Sequence, residues 1–247
     1  MIIFKSMVMT SLRDKISLFY ALLFPVGLMI GLGIFFDQEM MQVKTICGVT
    51  AISTLFWGMQ GISFQVYSQR SKGVYKLLKL TPMSTVSFVF IMTLARTVIG
   101  VALNMVVWLI GMFYFHIQVT YTSILATFVL VTVGTLCFTS MGFFIANLAN
   151  NEGQINIFSN LIQLPMIFMS ETFYSLQSTP SWISTVGNLL PFEYYVKGLI
   201  TSINAYDQNT FLLGMLVPML YMIMMVMLAA ITFKWEERQS FIKKASS

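Results

Sequence analysis

The side chains able to do acid–base, nucleophilic or metal chemistry are few and far apart in this sequence. His116 is the single histidine, so no H-E-x-x-H pair exists to hold zinc. Cys47 and Cys137 lie in separate apolar runs, without metal-ligand spacing and without a partner histidine. Both are expected to pack as small apolar groups. Neither a G-x-S-x-G nucleophile elbow nor a G-x-x-x-x-G-K-S/T phosphate loop occurs. The expectation is a chain with no catalytic residue, no metal site and no bound cofactor. Arg96 is the one basic residue inside an apolar run, and no carboxylate lies near the centre of any run. Proton- and sodium-coupled transporters use buried carboxylates or broken helices. Arg96 stands about two turns from the cytosolic edge of its run, and is expected to snorkel toward the interface.

The elements that carry these residues are membrane spans. Of 247 residues only 9% are charged and 57% are hydrophobic, with mean hydropathy +0.80. A soluble fold carries about a quarter charged residues, so a soluble enzyme is excluded. About 20 apolar residues cross the hydrocarbon core. Six runs qualify: 18–36, 45–64, 88–115, 122–146, 155–173 and 211–233. The fold class expected is an all-α membrane protein, one six-span domain over residues 1–247. No small-residue cleavage pattern follows the first run, which is expected to remain as a span. Placing the N-terminus inside puts 11 of the 14 basic residues on cytosolic segments. By the positive-inside rule both termini are therefore cytoplasmic.

Three segments outside the spans carry structure of their own. Residues 2–15 mix Ile2, Ile3, Phe4, Met7 and Met9 with Lys5, Arg13 and Asp14, a pattern for a helix lying in the interface. Gln69–Leu80 sets Val74, Leu77, Leu78 and Leu80 against Lys72, Lys76 and Lys79 as one short basic amphipathic helix. Such a helix can rest on anionic lipid or dock into a groove on a cytosolic partner. The external segment 171–210 is too mixed for a span and too aromatic for a solvated loop. In the first run Gly27 and Gly31 form a G-x-x-x-G, a possible helix-contact or dimer face.

At this point the sequence resembles a known family. Gln69-Arg70-Ser71-Lys72-Gly73-Val74-Tyr75-Lys76-Leu77-Leu78-Lys79-Leu80-Thr81-Pro82 resembles the first cytosolic loop of type-2 ABC exporter permeases. Asn151-Glu152-Gly153-Gln154, Leu164-Pro165, Pro180-Ser181-Trp182, Leu190-Pro191-Phe192 and Lys197-Gly198-Leu199 resemble the family's fifth span and the external segment after it. Arg13-Asp14-Lys15 and Phe24-Pro25 resemble the entry to its first span. The chain departs from the pattern where Glu171 follows Ser170, and where Ser175 stands in place of a proline.

The resemblance implies a permease subunit of an ATP-driven exporter in the bacterial inner membrane. Two such subunits, as a homodimer or beside a sister permease, would each engage a separate cytosolic ATPase that uses ATP and Mg. Gln69–Leu80 would be the coupling helix, with Arg70, Lys72, Gly73, Val74, Lys76, Leu77, Leu78 and Lys79 at the ATPase. The segment 171–209 would fold as short re-entrant helices, an outer gate with Glu171, Pro180, Trp182, Pro191 and Glu193. Cargo would be hydrophobic or amphipathic: a drug, as in antibiotic resistance, an antimicrobial peptide or a lipid-linked glycan. Lipid is an expected partner and nucleic acid is not. The alternative class is a stand-alone secondary transporter or intramembrane enzyme, which would need buried carboxylates or a catalytic dyad.

Overall fold

A computed structural model describes residues 19–34, 39–75, 84–118, 120–172, 174, 179–203 and 207–233. The regular structure among them is helical throughout. The expected interfacial helix at 2–15 lies outside the described residues. A π turn, Phe19–Leu23, leads into α1 (Phe24–Gly33). Helix α2 (Glu39–Leu55) continues through a π segment, Phe56–Gly61, into α3 (Ile62–Ser71). Then follow α4 (Thr85–Tyr114), α5 (Tyr121–Leu148), α6 (Glu152–Phe168), two short helices α7 (Ser181–Gly187) and α8 (Pro191–Ile203), and α9 (Gln208–Ile231).

Among the described residues four helices are long and apolar enough to cross a membrane: Met40–Ser71, Thr85–Tyr114, Tyr121–Leu148 and Gln208–Ile231. They carry the second, third, fourth and sixth expected runs. The helix that carries the second run continues beyond it to Ser71, through polar Gln65, Ser68 and Gln69. The first run corresponds to a shorter apolar helix, Ala21–Gly33. The fifth becomes α6, 17 residues that end at Phe168, five residues short of the expected edge. Pro165 lies in its last turn, and Met169 closes the helix by donating to the Pro165 carbonyl.

Local chemistry sets the helix ends. Ser84 caps α4 by accepting from the Ser87 amide. Asn151 caps α6 by accepting from the Gln154 amide, and the Gln154 side chain accepts from Asn150 in return. Asp207 caps α9, accepting from the amides of Asn209 and Thr210. Helix α4 ends in a Schellman turn: His116 holds the left-handed position at φ 55°, its amide donates to Phe113, and the Ile117 amide donates to Met112.

Helix α5 is the centre of the bundle, packed against α2, α3, α4, α6, α8, α9 and the π segment. Its Leu130, Cys137, Phe138 and Met141 meet Cys47, Leu55 and Met59 on one side, and Phe192, Tyr195 and Leu199 of α8 on another. In lipid such contacts hold by close packing and by interhelical hydrogen bonds of about 0.6 kcal/mol each. Thr54 meets the Tyr195 hydroxyl at 3.0 Å, Thr127 meets Ser202 at 2.9 Å, and Asn147 donates to the Ala229 carbonyl at 2.7 Å. Helix α9 turns Leu212, Leu216, Leu220, Ile223, Met227 and Ile231 outward, an apolar face suited to lipid.

Candidate functional site

Three places hold the residues that can carry function. The first is the corner after α3, at the basic end of the bundle. The helix stops at Ser71 because Gly73 takes a left-handed conformation, φ +73°, with its amide donating to Arg70. Gln69, Arg70 and Ser71 therefore belong to the preceding helix, and the single amphipathic helix expected from Gln69 onward is corrected by this break. Arg70 does not lie on a basic face. It is buried, its guanidinium donates to the Ala149 carbonyl at 2.8 Å and stands over the Tyr67 ring. Lys72 and Val74 are exposed and Tyr75 is buried. Lys76, Leu77, Leu78 and Lys79 lie outside the described residues. The corner redirects the chain at a fixed point, and Arg70 pins that point to the far end of α5.

The second place is a set of polar side chains along α6. Asn156, Asn160 and Gln163 recur at i, i+4 and i+7 along α6. Asn156 and Asn160 are exposed, between exposed Ile157, Leu161 and Leu164. Gln60, from the π segment, donates to the Asn156 side chain at 2.9 Å. Behind this face Gln163 and Ser159 are fully buried, and neither makes a hydrogen bond through its side chain among the described residues. The signal was legible as the same spacing that kept the fifth run weakly apolar.

Arg96 lies deeper in the bundle, and the expectation that it snorkels is overturned. It is 1% exposed. Its guanidinium lies 3.9 Å from the centre of the Trp57 ring and donates to Gln65 at 3.0 Å. The Trp57 indole in turn donates to the Arg96 carbonyl. Gly61 makes room for it: a Cβ there would stand 1.9 Å from the Arg96 Nη2. A desolvated cation over indole is worth about 2 kcal/mol or more, which favours the inward rotamer over the interface.

The third place is the segment from Glu171 to Ile203. Lys197 Nζ lies 2.8 Å from Glu193 and 3.9 Å from Glu171, and the Glu171 amide donates to Glu193 at 2.8 Å. Burial pushes the Glu193 carboxyl above the usual carboxylate range, and the bonds from Lys197 and Glu171 offset this only in part. Burial works against the Lys197 ammonium most strongly, but its bond to Glu193 together with the nearby charges of Glu193 and Glu171 outweighs that and raises its pKa. Pro180 is the N-cap residue of α7 and Pro191 begins α8. Trp182 is exposed on α7, as suits an interfacial aromatic. Glu171, Glu193 and Lys197 are thus brought together, whereas Trp182 stands apart. Tyr221 of α9 ties the α7–α8 turn down by donating to the Leu189 carbonyl at 2.6 Å. At the first helix Gly27 and Gly31 are open, with nothing within 4 Å of a Cβ placed on either.

The sequence matches the ABC-2 type transporter family over residues 1–204. No curated protein matches it. With that span of the chain matched, and with four helices among the described residues long and apolar enough to cross a membrane, the chain belongs to the ABC-2 type transporter family, as a multi-pass membrane permease component.

Proposed function

We propose that the chain is one wall of an outward transport pathway, driven by a cytosolic ATPase and completed by a second permease subunit. The observation that carries this is the exposed carboxamide pair Asn156 and Asn160 on α6, with Gln60 beside them. An amide facing hydrocarbon without a partner costs about 4 kcal/mol or more. That face therefore looks onto water or another subunit rather than lipid. Its uncharged hydrogen-bonding groups alternate with apolar side chains, which suits a hydrophobic or amphipathic cargo: a drug, an antimicrobial peptide or a lipid-linked glycan.

In this reading α1 and α6 complete six spans, the basic end and both termini face the cytoplasm, and the membrane is the bacterial inner membrane. Lys72, Gly73 and Val74 at the corner, with Lys76, Leu77, Leu78 and Lys79 beyond it, receive the ATPase, which binds ATP and Mg. Helices α7 and α8 close the outer end, held by Glu193 with Lys197 and Glu171. The open glycines Gly27 and Gly31 give the second permease subunit a place to pack.

Single cysteines test the wall. Asn156→Cys and Asn160→Cys should react with a water-soluble maleimide in membranes, while Leu216→Cys and Leu220→Cys on the lipid face should not. Equal protection of all four would contradict a water-lined pathway along α6.

A further inference from the structure

We infer that Tyr75 is the positioning residue that passes motion from the ATPase-docking segment into the helix bundle. The inference rests on the coupling role just proposed for the residues after Gly73, and adds to it a division of labour. Residues beyond the corner grip the ATPase, and Tyr75 carries the displacement inward.

The geometry is specific. Helical backbone resumes at Val74 and Tyr75, directly after the left-handed turn. Val74 remains exposed, but the Tyr75 ring is fully buried. It packs edge-on against Phe88 at 5.1 Å and at a tilt against Phe233 at 5.6 Å. Phe88 also meets Phe143 at 6.5 Å and Phe233 at 5.4 Å, and Phe143 meets Phe233 at 5.7 Å. The Tyr75 hydroxyl donates to Gln69 in the last turns of α3. One box of four rings thus joins the docking segment to the start of α4, the basic-end half of α5 and the residue just past α9.

Close-packed rings shift together, because interiors have little free volume to absorb a displacement. The backbone link to α3, by contrast, runs through Gly73, which is permissive. A push on the docking segment therefore travels through the Tyr75 ring more directly than along the chain. From the box it reaches α5 and α9, and both of these pack on α8 in the outer segment. The side chains lie in one contiguous packed path, and the test asks whether that path couples the two ends.

The experiment uses the permease purified with its ATPase, carrying Thr185→Cys on the exposed face of α7, with buried Cys47 and Cys137 replaced by Ala. The rate of maleimide labelling at position 185 is measured with and without ATP. With Tyr75 intact, ATP should change that rate several-fold. Tyr75→Phe, which keeps the ring and loses only the bond to Gln69, should preserve the response. Tyr75→Leu and Phe233→Leu keep apolar bulk and should retain the ATPase and its hydrolysis, yet reduce the response to less than a third. A full response in Tyr75→Leu overturns the inference, as does a parent complex whose labelling ignores ATP. Loss of the ATPase from Tyr75→Leu alone also overturns it, since Tyr75 would then shape the docking surface. Failure of the parent permease to hold an ATPase contradicts the coupling reading itself, and with it this inference.

Discussion

His116 shows why a lone titratable residue is weak evidence for chemistry. It holds the left-handed position of the turn that ends α4, a place that glycine fills most easily. His116→Gly should leave stability unchanged within about 1 kcal/mol, while β-branched His116→Val should cost about 1–2 kcal/mol. Thermal unfolding in detergent checks both, and loss of transport in a stable His116→Gly would reveal a chemical role. Arg96 teaches the opposite lesson. Its run placed it near an interface, but three residues far away in sequence decide its rotamer: Trp57 supplies a ring, Gln65 an acceptor and Gly61 the space. Gly61→Ala forces the guanidinium to shift and should lower stability by about 1–3 kcal/mol, again read by thermal unfolding. Spacing alone could not show this, because the box forms between helices. The basic corner was legible in composition, but its geometry was misjudged. Gly73 read as one residue in an amphipathic helix, whereas its positive φ makes it the stop.

At the level of elements, hydropathy located the helices and polarity located the exceptions. The four long spans follow their apolar runs because a helix satisfies its own backbone in lipid. The fifth run is expected as one of six spans, and its polar positions Asn156, Asn160 and Gln163 are what distinguish it. A stripe at i, i+4 and i+7 was visible in the sequence; that Asn156 and Asn160 face outward while Gln163 is buried was not. The mixed outer segment was expected to hold short helices, and α7 and α8 are present. We expect them to fold back toward the membrane as an outer gate. Single cysteines from Pro180 to Pro191 should then show patterned protection from an impermeant thiol reagent, strongest at buried Gly187 and Pro191 and weakest near exposed Trp182. Uniform, fast labelling would mean an ordinary solvated loop.

For the whole molecule the question is where work enters and what completes the pathway. The family match makes the chain a permease component, and its sequence has no phosphate-binding loop of its own. Among the described residues the charged side chains buried within the spans are Arg70 and Arg96, each held by neighbours within the bundle. Energy is expected from a partner at the basic end, and a second subunit is expected to face the carboxamides from across the pathway. The most direct test is the mass of the complex purified in mild detergent after co-expression with its ATP-binding subunit. The account predicts two permease subunits of 28.0 kDa each, or one beside a sister permease, together with two ATPase subunits. A stable monomer that transports cargo with no ATPase bound would contradict it.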